Sequence, residues 1–301
     1  VRTVFLGTSG FAASVLRSLA GSPHRPLLVI TPPDRPRGRG RRTIPPPAAE
    51  AARGLGLELL QADSVNTGPA RERIREAGAE VAAVCAFGQL IREPLLSELP
   101  MLNVHPSLLP RWRGAAPIER AIMAGDERTG VSVMRVTEGL DSGPVAMREE
   151  VGIGPDEDFG ELSERLAELG GRMIVRSLDL QAEGALSLED QDDGAATYAE
   201  KIERAERRLD LSRPAEDLAR AVRALTPHVG AYIQTAGGGR LGVRRARAVG
   251  SGPPAGRASG DGGELLIGCG EGALRLEVVQ PEGSRPMEVD AFLRGHPVPD
   301  L

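Results

Sequence analysis

Short apolar runs alternate with helical stretches through the first 125 residues, and that alternation limits the fold more than any other feature. The runs are RTVFL (2–6), LLVIT (27–31), LELL (57–60), EVAAVCAF (80–87) and MLNVH (101–105), with helical patterns between them, for example at 48–54, 70–77 and 116–124. Continuous apolar runs of this length suit strands buried on both faces, and their alternation with helices implies a parallel sheet with crossover helices. Such sheets bind ligands beyond the carboxyl ends of their strands. VSVMRV (131–136) and PVAMREEV (144–151) predict a hairpin around TEGLDSG, and a long helix follows near 157–182.

Past residue 185 the pattern changes. Residues 188–205 are polar and read as a linker, a helix is predicted over 212–225, and glycine-punctuated strands follow to the end. The expected fold class is α/β: a Rossmann-like, mostly parallel sheet over 1–187, the linker 188–205, and a small OB-like β-barrel over 206–301. With 301 residues, 41% of them apolar, the chain has material for both. No apolar run approaches the roughly 20 residues of a membrane span. Cys85 and Cys269 stand isolated, without redox or metal spacing, so a reducing cytoplasm and no metal site are expected.

The formal net charge is −5, so any nucleic-acid partner has to be held by local patches. The clearest lies between Pro32 and Pro47, where Arg35, Arg37, Arg39, Arg41 and Arg42 face one acid, Asp34, leaving +4. Arg240, Arg244, Arg245 and Arg247 form a second basic group in the expected barrel, and Lys201 is the sole lysine among 37 basic residues.

Several motifs carry less than they promise. Gly7-Thr8-Ser9-Gly10 follows a strand and opens a helix, but Ser9 stands where a dinucleotide loop needs its second glycine. Tight strand–helix packing explains the glycines without a cofactor. Ser107 lies near a histidine, yet HPSLLP is not the G-x-S-x-G elbow of a serine hydrolase. Cys85 has no neighbouring base and reads as a buried structural thiol. His105 differs. It closes the fifth strand-like run, where an α/β sheet presents its active site, and Asn103 shares its strand face because side-chain direction alternates with period two. Asp141, in the turn GLDSGP, supplies a carboxylate at the end of another strand; taken alone it could be an Asx turn.

With these residues in place, NVHPSLLPRWRGAAPIERAI and VTEGLDSGP together resemble the folate-dependent formyltransferase superfamily, and within it the branch acting on methionyl-tRNA. FLGTSGFAASVL, PDRPRGRGRR, VCAFGQLI, TYAEKI and FLRG extend the resemblance end to end, with Ser142 and Phe87 replacing the more usual threonine and tyrosine. The resemblance implies formyl transfer from 10-formyltetrahydrofolate to the α-amine of initiator methionyl-tRNA, without a metal, by a monomer. It implies Asn103 as an oxyanion donor, His105 as a protonated partner, and Asp141 as acceptor of the proton from the attacking nitrogen. The folate is expected at Phe87, Gly88, Gln89, Leu90 and Ile91, and along Ser107, Leu108, Leu109 and Pro110. The tRNA is expected on Arg35, Arg37, Arg39, Arg41 and Arg42, and on Lys201, Arg240, Arg244 and Arg245. A folate-dependent formyltransferase or hydrolase acting on a small molecule is the alternative. A non-catalytic RNA-binding module would need the basic patches but not the trio.

Overall fold

The computed structural model describes residues 1–37 and 42–301, and the chain divides into two compact units that interleave in sequence. The first comprises Val1–Gly114, Thr129–Val151 and Ser163–Tyr198; the second comprises Ala115–Arg128, Gly152–Leu162 and Ala199–Leu301.

The first unit is built on strands β1 (Thr3–Gly7), β2 (Leu28–Thr31), a ribbon of β3 (Arg35–Arg37) and β4 (Arg42–Ile44), β5 (Leu59–Gln61), β6 (Val81–Cys85), β7 (Met101–His105), β8 (Arg113–Gly114), β9 (Arg128–Arg135) and β10 (Val145–Gly152). Seven of these form the central sheet in the order β10-β9-β7-β6-β1-β2-β5. Five neighbouring strands, from β5 to β7, run parallel, while β9 lies antiparallel to β7. The sequence-based expectation of a mostly parallel sheet is met, with strand ends within a few residues of those predicted. β1, β2 and β6 are buried along their whole length, which is why they read as continuous apolar runs rather than alternating ones.

Two glycine sites fix how helices meet this sheet. A Cβ on Gly7 would lie 2.5 Å from Phe5 Cε1 and 2.9 Å from Ala12 Cβ, so close packing accounts for the GTSG turn. Ser9 Oγ then accepts the Ala12 N–H and caps helix α1 (Gly10–Ala20). Within the 24-residue helix over Phe159–Ala182, a Cβ on Gly170 would lie 2.6 Å from Val104 Cγ1, and one on Gly171 would strike Ser18 of α1. Gly170 thus seats the helix against β7 at Val104, the residue between Asn103 and His105, and Gly171 seats it against α1.

The second unit is β-rich. Strands Ala231–Gln234, Arg240–Val249, Ala273–Pro281, Glu264–Gly268 and Ala258–Asp261 are hydrogen-bonded in that spatial order, and Met287–Glu288 pairs with Ala273–Pro281. All the pairings are antiparallel. The helix Ala215–Leu225 buries Leu218, Val222 and Leu225 in one core with Ile233, Val243, Leu265, Ile267, Leu274 and Leu276. The barrel expected from sequence does not close among the described residues, and the pairings run as an open path. One physical reason is that the outer edge of the Ala231–Gln234 strand is already used: the Leu209 N–H donates to the Tyr232 carbonyl at 2.9 Å. Helix Pro117–Ala124, sequence-distant from the rest of this unit, packs against Ala215–Leu225.

Candidate active site

Strand β7 delivers two of the three candidate residues. Asn103 lies opposite Val84 of β6 and Met134 of β9, and His105 lies opposite Ser132, so both point to one face. Asn103 is half-buried, and no hydrogen bond joins its amide to another described residue. His105 is only 4% exposed. Its Nε2 stands 2.8 Å from the Trp112 carbonyl oxygen. A carbonyl only accepts, so Nε2 carries the hydrogen and Nδ1 is the free position of the neutral ring. Nδ1 faces Asp141 Oδ2 at 3.7 Å, an ion-pair separation longer than a hydrogen bond.

Asp141 arrives from the turn between β9 and β10 with φ +47°, a left-handed conformation that Asp tolerates better than most residues. The Gly114 N–H donates to Oδ2 at 2.9 Å, while Oδ1 accepts no hydrogen bond from the described residues. The described non-glycine residues with positive φ are Ala86 (+43°), Trp112 (+63°) and Asp141 (+47°). Each sits beside a candidate site residue or is one: Ala86 precedes Phe87, and Trp112 supplies the His105 acceptor. Such clustering is typical of functional sites.

The structure thus brings Asn103, His105 and Asp141 to the carboxyl end of β7. It treats the expected folate residues unevenly. The Phe87 carbonyl accepts from Thr8 Oγ1 at 2.5 Å, and Gly88 takes φ +73°. The Gln89 amide bridges the Ala62 carbonyl and the Val65 N–H, each at 2.8 Å, and the Leu90 carbonyl accepts from Asn66. Leu90 is 61% exposed and Ile91 is buried. Ser107 is fully buried and donates to the Arg111 carbonyl at 2.6 Å, Leu109 is buried, and Leu108 and Pro110 are partly open. The Cys85 thiol, raised well above its ordinary range by burial, stays protonated.

The basic groups differ in what they face. Arg39 and Arg41 lie outside the described residues; Arg35 and Arg42 sit on opposing strands of the β3–β4 ribbon, with Arg37 paired to Arg42 in register. In the second unit Lys201 is exposed, and the Arg240 guanidinium lies 4.7 Å from the Tyr232 ring centroid. Arg245 pairs with Glu277 and Glu288, and Arg247 with Glu277 and Asp156. Arg244 donates to the neutral Gln280, and burial and then the nearby Arg207 charge hold its pKa below the ordinary range. Sequence reasoning missed Arg207 and Gln191. Nothing in spacing or periodicity marks a polar side chain that reaches the site from 50 residues away.

Comparison with known proteins adds an independent line. Residues 1–178 match the family model described as formyl transferase, and residues 201–297 match that of the formyl transferase C-terminal domain. The chain is 42% identical over 303 residues to a methionyl-tRNA formyltransferase of Cereibacter sphaeroides, covering 100% of this chain and 98% of that one. It is 43% identical to one of Methylobacterium sp., covering 98% and 96%. Among solved structures, HypX from Aquifex aeolicus in complex with tetrahydrofolic acid superposes with a TM-score of 0.65 at 16% identity, over 97% of this chain and 46% of that one. An N-formyltransferase from Helicobacter canadensis superposes with a TM-score of 0.66 at 10% identity, over 92% and 98%. At such identities the superpositions speak for the fold alone.

Proposed function

This chain belongs to the methionyl-tRNA formyltransferase family and formylates methionyl-tRNA, and from that premise we propose how it does so. The donor is 10-formyltetrahydrofolate, the acceptor is the initiator tRNA, and Asn103, His105 and Asp141 carry the transfer. The neutral α-amine attacks the formyl carbon, a C–N bond forms, and the carbonyl oxygen takes up negative charge. Collapse of this adduct breaks the bond to the folate nitrogen, which leaves with a proton.

The observation that supports this reading is the open amide of Asn103 on the same face as the His105–Asp141 pair. An unpartnered donor in a site otherwise closely hydrogen-bonded is suited to a developing oxyanion; one such donor is typically worth about 10²–10³ in rate. His105 has Nε2 tied to Trp112, so the proton it gains and loses is the one on Nδ1, facing Asp141. Asp141 keeps Oδ1 available to accept the proton released by the amine. The main chain of 87–91, with Leu90 exposed, and the segment 107–110 form the proposed folate side. The arginine ribbon, Lys201, Arg240 and Arg244 are the proposed tRNA contacts, with Arg245 and Arg247 weakened in that role by their carboxylate partners.

The test supplies formyl-labelled 10-formyltetrahydrofolate with methionyl-initiator tRNA, glycinamide ribonucleotide or neither. Label in the methionyl ester is the expected result, and Asp141→Asn should reduce it by at least about two orders of magnitude. Label in the nucleotide or in free formate would overturn the assignment of donor and acceptor.

A further inference from the structure

The turn that carries Asp141 is held from outside by a side chain so far assigned no role. Gln191 Nε2 lies 2.8 Å from the Asp141 carbonyl oxygen and 2.7 Å from the Gly143 carbonyl oxygen. Its Oε1 accepts from Arg113 Nε at 3.1 Å. The orientation of the amide is unambiguous, because a guanidinium can only donate and a carbonyl can only accept. Arg113 is itself 3% exposed, and its Nη2 donates to Asp193 Oδ1 at 2.7 Å. The next residue, Gly114, donates its N–H to the Asp141 carboxylate. Arg113, Gln191, Asp141 and Gly114 therefore close a ring that grips the aspartate by both its main chain and its side chain.

The same segment also supports His105. Thr197 Oγ1 accepts the Trp112 N–H at 2.9 Å, the Thr197 carbonyl accepts the Arg113 N–H at 2.9 Å, and the Trp112 carbonyl is the His105 acceptor.

We propose that Gln191 is a positioning residue for formyl transfer: its two amide hydrogens hold Asp141 in the left-handed conformation that turns the carboxylate toward His105 Nδ1. The proposal rests on the role given to Asp141 above. Misplacing a reacting group by about 1 Å can cost about 10²-fold, so a released turn should lose between one and two orders of magnitude in kcat.

The experiment uses Gln191→Met and Gln191→Glu, both close to isosteric, alone and combined with Asp141→Asn. Glutamate keeps the Arg113 contact, but sets an oxygen against two carbonyl oxygens. Each single variant should lower single-turnover rate roughly 10- to 100-fold while KM for donor and tRNA stays within about twofold. In the Asp141→Asn background neither should lower the rate further, since the positioned group is already disabled. A Glu variant with the parental rate, or losses that multiply in the double variants, would reduce Gln191 to a packing role. If Asp141→Asn alone keeps the parental rate, the assignment of Asp141 fails, which is distinguishable from failure of the clamp alone. A measurement on the parent protein needs no variant: the Gln191 amide hydrogens should exchange slowly and show NMR couplings across hydrogen bonds to the Asp141 and Gly143 carbonyl carbons. Free exchange there would overturn the proposal even if both variants misfold.

Discussion

Two side chains on one short stretch, Asn103 and Ser107, show how local environment separates chemistry from construction. Asn103 has an unspent amide, so Asn103→Ala should lower kcat by about 10²–10³ with melting temperature little changed, measured by single-turnover assay and thermal melts. Ser107 has a spent hydroxyl: it donates to the Arg111 carbonyl, while Ser132 Oγ donates to the Ser107 carbonyl at 2.7 Å and accepts the Leu109 N–H. Ser107→Ala leaves a carbonyl short of a partner and should cost about 1–3 kcal/mol of stability, with kcat falling only a few-fold. A reversed pattern, with Ser107→Ala inactive and still fully stable, would return the serine to the chemistry. Asn103 and His105 were legible as candidates because strand ends in an α/β sheet are where chemistry collects, whereas Asp141, in the turn between β9 and β10, was marked only by the family resemblance. The Trp112 carbonyl and the Gly114 N–H were not legible, because main-chain partners leave no residue-type signature.

At the scale of elements, apolar periodicity carried most of the prediction. β1, β2, β6 and β7 were readable because each is a buried parallel strand, and the helix over Phe159–Ala182 because it repeats over six turns. The polar stretch beyond residue 188 gave no such signal, yet it supplies Gln191, Asp193 and Thr197 to the site. Its order comes from hydrogen bonds, which hydropathy does not record. A second polar link fixes helix Pro117–Ala124. Arg120 Nη1 and Nη2 reach the Glu206 carboxylate at 2.6 and 3.1 Å, and its Nε donates to the Glu200 carbonyl. The hydrogen bond from Arg120 holds the Glu206 carboxyl below the usual carboxylate range. A depressed folded-state pKa contributes stability above the unfolded value, about 4.3, and that contribution is lost as pH falls through the folded value. Parent and Glu206→Gln should therefore differ in melting temperature at pH 6 and converge as pH drops below about 4. A gap that stays constant over that range would mean the ion pair contributes nothing to the acid response.

At the scale of the whole molecule, charge and interleaving both have measurable effects. Replacing Arg39, Arg41 and Arg42 by alanine tests the proposed tRNA contacts, of which up to three would be lost. At about 0.7 per contact to single-stranded RNA, the slope of log affinity against log salt should shrink by up to roughly 2. An unchanged slope in filter binding would remove these three arginines from the proposed tRNA contacts. A chain cut after residue 205 should not survive as a well-behaved fragment. Helix Pro117–Ala124 would lose Ala215–Leu225 as packing partner, Arg120 would lose Glu206, and Glu119 would lose His228, now 3.0 Å away. The fragment should melt lower than the full chain and scatter light on warming; a melt matching the full chain would show that the lost contacts contribute little.

The interleaving also bears on how such chains can be rebuilt by recombination. A single joint placed anywhere between residues 178 and 201 would transfer one family-matched segment intact, yet leave residues 115–128 and 152–162 behind with a foreign neighbour. Exchange of the C-terminal portion between relatives should therefore succeed only when those two inner stretches travel with it, so that the unit of inheritance is three pieces of chain.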